Sequence, residues 1–212
     1  MSTVALSDIQ LDALSEIGNI GAGNAGTSLA KMISQVVTLA VPDTRVVSFD
    51  QLPLVTTTNL ESPMLAAHVA FEGQAHGCVL LLFHAQQAAT FFKLLGLPFE
   101  GSIFEISDLH KSAVAEIGNI ITSAYLQAMG TFTNLQLLPM PPGVAVGMGG
   151  AILDTIAAYL GQFAESGIVV QVHIYSTEAD LGVELLMIPK ADSLHAILSA
   201  LGLSERPRSC SI

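Results

Sequence analysis

Positive charge is scarce in this chain. Lys and Arg together number 7 of 212 residues, against 18 Asp and Glu, which leaves a formal net charge of -11. Without a basic stripe to neutralise a phosphate backbone, nucleic acid is not an expected partner. An acidic surface suits solubility and a partner with a positive rim. Cysteine is nearly missing as well: Cys78 sits in an apolar run and Cys210 in the terminal RPRSCSI. Two such residues with no metal-type spacing make neither a disulfide framework nor a zinc site, and they point to a reducing compartment. Long apolar runs are also lacking, although hydrophobic residues make up 51% of the chain. No stretch of eighteen residues is free of polar side chains. Runs such as GCVLLLF are short and read as buried strand rather than membrane span. The start, MSTVALSDIQ, carries no cationic segment followed by an apolar one, so no secretion signal and a cytoplasmic location are expected.

What the chain does have is an internal repeat. LSDIQLDALSEIGNI, Leu6 to Ile20, returns as ISDLHKSAVAEIGNI, Ile106 to Ile120. A duplicated core keeps its apolar positions. A carboxylate and a carboxamide three residues apart have no part in a core, so their return needs another reason. A young duplication would also preserve inert residues, but the copies have diverged nearby, with Ala22-Gly23-Asn24 opposite Thr122-Ser123-Ala124.

Helical periodicity begins after Ser7, which with Gln10 forms a capping box, and runs to about Ile33. VVTLAV and TRVVSFD read as strands, residues 51–62 as a polar loop, 64–72 and 75–83 as two strands, and 85–96 as a short helix. The second half restarts at Ser107 with a helix to about Met129. After NLQLL and the Pro/Gly-rich PMPPGVAVGMGG, 150–161 read as a helix, 167–176 and 181–188 as strands, and 191–201 as a last helix. The offset between the closing units has drifted from 100 to about 106, which places a small insertion in the second half. The order predicts an α+β fold of pseudo-twofold duplicated helix-strand-strand-helix units. The expected sheet is mixed or antiparallel, with the two long helices side by side on one face. Residues 1–212 are expected to form a single domain of two repeats, about 6–98 and 106–204.

On a helical wheel Asp12, Glu16 and Asn19 share an arc of about 60°, while Ile9, Ala13, Ile17 and Ile20 take the adjoining, core-facing arc. The second copy has Ser112, Glu116 and Asn119. A glycine follows each Glu-Ile, at Gly18 and Gly118, where it costs about 1 kcal/mol of helix propensity against alanine. One return for that cost is room for a partner or a neighbouring helix to come close. Twenty-two residues separate Asn19 from Pro42, and twenty-two separate Asn119 from Pro142. The pattern [DS]-x-x-x-E-x-x-N-x22-P therefore occurs twice, as Asp12/Glu16/Asn19/Pro42 and Ser112/Glu116/Asn119/Pro142.

With these two patterns the chain resembles the CheC family of chemotaxis phosphatases, relatives of CheX and FliY, over nearly its whole length. The resemblance implies a CheC-like domain that removes phosphate from the aspartate of the response regulator CheY. It implies two catalytic pairs, Glu16 with Asn19 and Glu116 with Asn119. Asp12, Ser112, Pro42 and Pro142 are auxiliary. No cofactor belongs to the chain itself, since Mg²⁺ comes with the regulator. The family also binds CheD, a receptor deamidase, and Ala151–Thr155 resembles its docking helix, with Asp154 as the exposed polar point. The alternative is a non-catalytic chemotaxis binding module that sequesters CheD or a response regulator.

Other signals carry less. Gly21, Gly23 and Gly26 spell G-x-G-x-x-G, but dinucleotide binding requires a strand before the motif and a helix opening at it. Here the preceding residues read as helical and the copy has Ile121, Ser123 and Leu126, so close helix packing is the expected role. The six histidines show no metal-ligand spacing. Ser, His and Asp occur without a nucleophile-elbow sequence.

Overall fold

Helix α1 (Asp8–Ile33) starts with the expected cap: Ser7 accepts from the Gln10 N–H, and the Gln10 side chain accepts from the Ser7 N–H at 3.0 Å. It closes at Ser34, whose φ of 54° is left-handed. The computed structural model describes residues 6–40, 43–54, 60–162, 164–176, 178 and 181–203. The copied helix, here α3 (Asp108–Thr133; α2 is Ala85–Leu94), repeats the plan, with Ser107 as N-cap and Asn134 closing at φ 56°. His110 replaces Gln10 in that cap. Its Nδ1 lies 2.7 Å from Ser107 Oγ, and its ring packs edge-on against Phe92 and Phe99.

Eight strands form one sheet: β1 (Thr38–Leu39), β2 (Asp43–Ser48), β3 (Pro63–Gly73), β4 (Gly77–His84), β5 (Leu137–Pro139), β6 (Gly143–Met148), β7 (Ser166–Ser176) and β8 (Leu181–Pro189). The order is β1-β7-β8-β4-β3-β5, with β2 also on β7 and β6 also on β3. Every pairing among the described residues is antiparallel, which settles the choice between mixed and antiparallel. Two further helices are α4 (Gly149–Gly161) and α5 (Ala191–Ala200), and short 3-10 turns cover Phe49–Leu54 and Ile103–Glu105.

The halves interlock. β1 and β2 of the first half add to the β7–β8 hairpin of the second, and β5 and β6 of the second add to the β3–β4 hairpin of the first. The hairpins join through β4 and β8. Cap residues follow the same exchange: Gln10 donates to Leu203 O beyond α5, and His110 packs on the phenylalanines of and beyond α2.

Alternation along the strands makes two cores. Leu65, Phe71, Val79, Leu81, Val172 and Leu185 face α1, α2, α3 and α5. Met64, Leu80, Leu82, Val169 and Leu186 face the opposite way, where α4 and the Phe49–Leu54 turn cover them. The turn and α4 begin a hundred positions apart, and the drift in offset starts there, where the second half builds a full helix.

Two readings of the sequence need correction. The Pro/Gly-rich passage contains the strand β6. Glycine and proline weaken a strand, but among the described residues β6 has a single partner, and Pro142 precedes its first residue, where a missing N–H breaks no ladder. The loop at 51–62 begins inside the 3-10 turn, with Leu52 fully buried; residues 55–59 lie outside the described residues.

Candidate functional site

The two long helices lie against each other on one face of the sheet, as expected. Their contact depends on a size match. A Cβ at Gly21 would stand 2.7 Å from the Tyr125 ring, so the glycine makes the hollow that receives it. At the equivalent positions in the copies the sizes are inverted, with Ala25 and Ile121, both fully buried. Gly26 meets Leu39 in the same way, and Gly23 has nothing within 4 Å of a Cβ. The G-x-G-x-x-G triplet therefore lies in mid-helix, and two of its glycines serve close packing rather than a phosphate loop.

The remainder of α1 presents a polar row. Asp12, Glu16 and Asn19 are exposed. On α3, Ser112 and Glu116 are exposed and Asn119 is half-buried. Among the described residues no hydrogen bond or ion pair engages the side chains of Glu16, Asn19, Glu116 or Asn119. Two carboxylate–carboxamide pairs are thus open to solvent and uncommitted.

The glycine beside the second pair approaches neither a partner nor a helix. A Cβ on Gly118 would come within 2.8 Å of the Ala67 Cβ on β3 and 3.9 Å of the Pro142 Cβ. The backbone beneath Glu116 and Asn119 is pressed onto the sheet, and Pro142 borders that contact. Pro42 lies outside the described residues. A Gly118→Ala variant is expected to lose stability, because overpacking against a rigid strand, about 1–3 kcal/mol, outweighs a propensity gain of about 1 kcal/mol. Thermal unfolding of Gly118→Ala, Ala67→Gly and the double variant checks this. The double should be more stable than the sum of the single effects predicts.

Asp154 lies elsewhere. Exposed on α4, it lines a cleft of about 650 Å³ with Asp50 and Glu165. Sequence reasoning singled out Asp154 but missed its companions, which come from the turn after β2 and from the residue before β7. Only tertiary contact brings them together. Ile9 was placed on the core-facing arc; it is 67% exposed, because the buried face of α1 centres on Leu14, Gly21 and Ala25, about 140° round the helix from Ile9. Among the described residues no group of three or more His, Cys, Asp or Glu is arranged to hold a metal ion. No helix among them is long and apolar enough to cross a membrane.

Comparison with known proteins matches this geometry to a family. The model of the CheC-like family matches residues 9–45 and 109–146, the two stretches that carry the polar rows. The CheY-P phosphatase CheC of Bacillus subtilis is 32% identical over 207 residues, 94% of this chain and 97% of the relative. The chain belongs to the CheC-like family.

A second relative, the flagellar motor switch phosphatase FliY of B. subtilis, is 27% identical over 66% of this chain, and the match spans 36% of FliY. The crystal structure of Thermotoga maritima FliY superposes with a TM-score of 0.71, covering 95% of this chain and all of that one at 17% identity. That similarity extends to the fold. Within this CheC-like chain the interlocked sheet carries both polar rows on one helical layer and leaves Asp154 on the other.

Proposed function

We propose that the chain hydrolyses the aspartyl phosphate of a CheY-type response regulator in the chemotaxis system of the cytoplasm. The observation that carries this reading is the twice-repeated, solvent-open Glu/Asn pair in a chain of a family whose B. subtilis relative bears the name CheY-P phosphatase.

The chemistry asks little of the chain. An aspartyl phosphate is already an activated acyl phosphate, and Mg²⁺ and a lysine belong to the regulator. What remains is a water held in line with phosphorus. A carboxamide offers both a donor and an acceptor, so Asn19 and Asn119 orient that water. They are too weakly basic to remove its proton, and their contribution is positional. Glu16 and Glu116 pair with the regulator's lysine and set the docking register. Asp12 and Ser112 stand one turn earlier as auxiliary contacts, and Pro42 and Pro142 shape the backbone.

The direct test is the decay of the phosphorylated regulator with and without the full chain, and with each Asn replaced separately. A shortened phosphate lifetime is expected. Complex formation with an unchanged lifetime would instead favour the binding module that sequesters its partner.

The reading extends to CheD as a second partner: the acidic cleft lined by Asp50, Asp154 and Glu165 would receive a basic complement from it. Asp154→Lys is expected to weaken CheD binding at least tenfold in a titration of purified proteins, with the phosphate lifetime unaffected. Equal binding would remove CheD from this face.

A further inference from the structure

Each polar row begins with an aliphatic side chain that the fold leaves in water. Ile9 and Leu109 are 67% and 61% exposed and occupy the second residue of α1 and of α3. Neither belongs to the core on either face of the sheet. The helix caps do not need them: an apolar staple would join the residue before the cap to the fourth helical residue, which are Leu6 with Leu11 and Ile106 with Lys111. Leu6 and Ile106 pack into the helix-side core, so the entry of each helix is already anchored.

Single exposed aliphatics are ordinary on protein surfaces. A repeated one in register is different, and its place on the helix is specific. Glu16 follows Ile9 by seven positions, as Glu116 follows Leu109, which puts each pair within about 20° of one line and roughly 10 Å apart along the axis. A partner that docks onto the Glu/Asn pair and extends about two turns toward the start of the helix therefore covers the aliphatic. Exposed charges and amides give register but little affinity, whereas apolar anchors at the centre of a contact give most of it.

We infer that Ile9 and Leu109 are the apolar anchors that seat the phosphorylated response regulator, one at each pair, on an apolar spot about 15 Å from its phosphoaspartate. This inference rests on the proposed phosphatase reading. It makes the two side chains binding residues rather than catalytic ones.

Steady-state hydrolysis by the full chain carrying Ile9→Gln with Leu109→Gln tests it. Glutamine keeps the helix propensity and removes the apolar surface. The expected result is a KM for the phosphorylated regulator raised about tenfold, with kcat within twofold of the parent. That corresponds to about 1.4 kcal/mol of binding shared by ground and transition states. The exchange Ile9→Leu with Leu109→Ile keeps the parent KM. An unchanged KM, or a loss confined to kcat, overturns the inference while leaving the phosphatase reading intact. A parent dimer that the Gln variant dissociates assigns the side chains to self-association and also overturns it. A parent that leaves the phosphate lifetime unchanged overturns both.

Discussion

Replacing Asn19 and Asn119 together by alanine should return the regulator's phosphate lifetime to its unassisted value, a loss of at least about 100-fold in stimulated hydrolysis, the scale of removing one positioning group from a transition state. The size follows from the division of labour. In the proposed mechanism regulator-borne groups neutralise charge and the amide alone holds the attacking water in line, so methyl replacement leaves nothing in that role. The fold should be unaffected. Asn19 is exposed and Asn119 half-buried, and neither side chain is held by a hydrogen bond among the described residues, so a shift within about 0.5 kcal/mol is expected. Each single variant should keep the activity of the other pair, and the ratio of the two residual rates measures how unequal the pairs are. Full activity in a folded double variant ends the phosphatase reading.

The largest stability effect should come from Tyr125. Its ring is fully buried in the hollow that Gly21 leaves on the facing helix. Tyr125→Ala empties that hollow and should cost about 3–5 kcal/mol, in the range for a large aromatic removed from a core. In a chain of this size the midpoint of thermal unfolding should fall by about 2–4 °C per kcal/mol. Tyr125→Phe separates the ring from its hydroxyl. The hydroxyl oxygen is buried and has no hydrogen-bond partner among the described residues, so removing it should be neutral or stabilising by about 1 kcal/mol. Burial also pushes the phenol's pKa up from its ordinary value of 10.0. The folded state then holds a proton that the unfolded chain has released, so stability present below pH 10 falls as the pH rises past that value. Denaturant curves of parent, Phe and Ala variants check the order. A Phe variant as unstable as the Ala variant would mean that the hydroxyl, not the ring, holds the helices together.

Much of this was legible without coordinates, for local reasons. Ser7 with Gln10, and Ser107 a hundred positions later, mark helix starts because capping is a contact within four residues. The hairpins β3–β4 and β7–β8 announce themselves by apolar runs around short turns. The collinearity of Glu16 and Asn19 follows from helical geometry alone. The misreadings were all non-local. β6 is a strand because β3 is there to pair with, despite Gly143, Gly147 and the prolines before it. Ile9 obeys the periodicity of its helix yet stays in water, because packing against α3 and the sheet selects the side of Leu14, Gly21 and Ala25. Gly118 does mark a close approach, though not of the expected partner or helix: its neighbour is Ala67 on β3, 51 positions earlier.

The chain's own order of residues was enough to establish two copies of one unit, each opening on a capped helix with a carboxylate and an amide one turn apart, since spacing along a helix is a property of the backbone. What only the folded molecule decided is how the copies complete each other: which hairpin receives β1 and β2, which glycine accepts Tyr125, and which carboxylates join Asp154 in one cleft. Those contacts join residues far apart along the chain, and their energy comes from matched shape and buried surface, which no local pattern encodes.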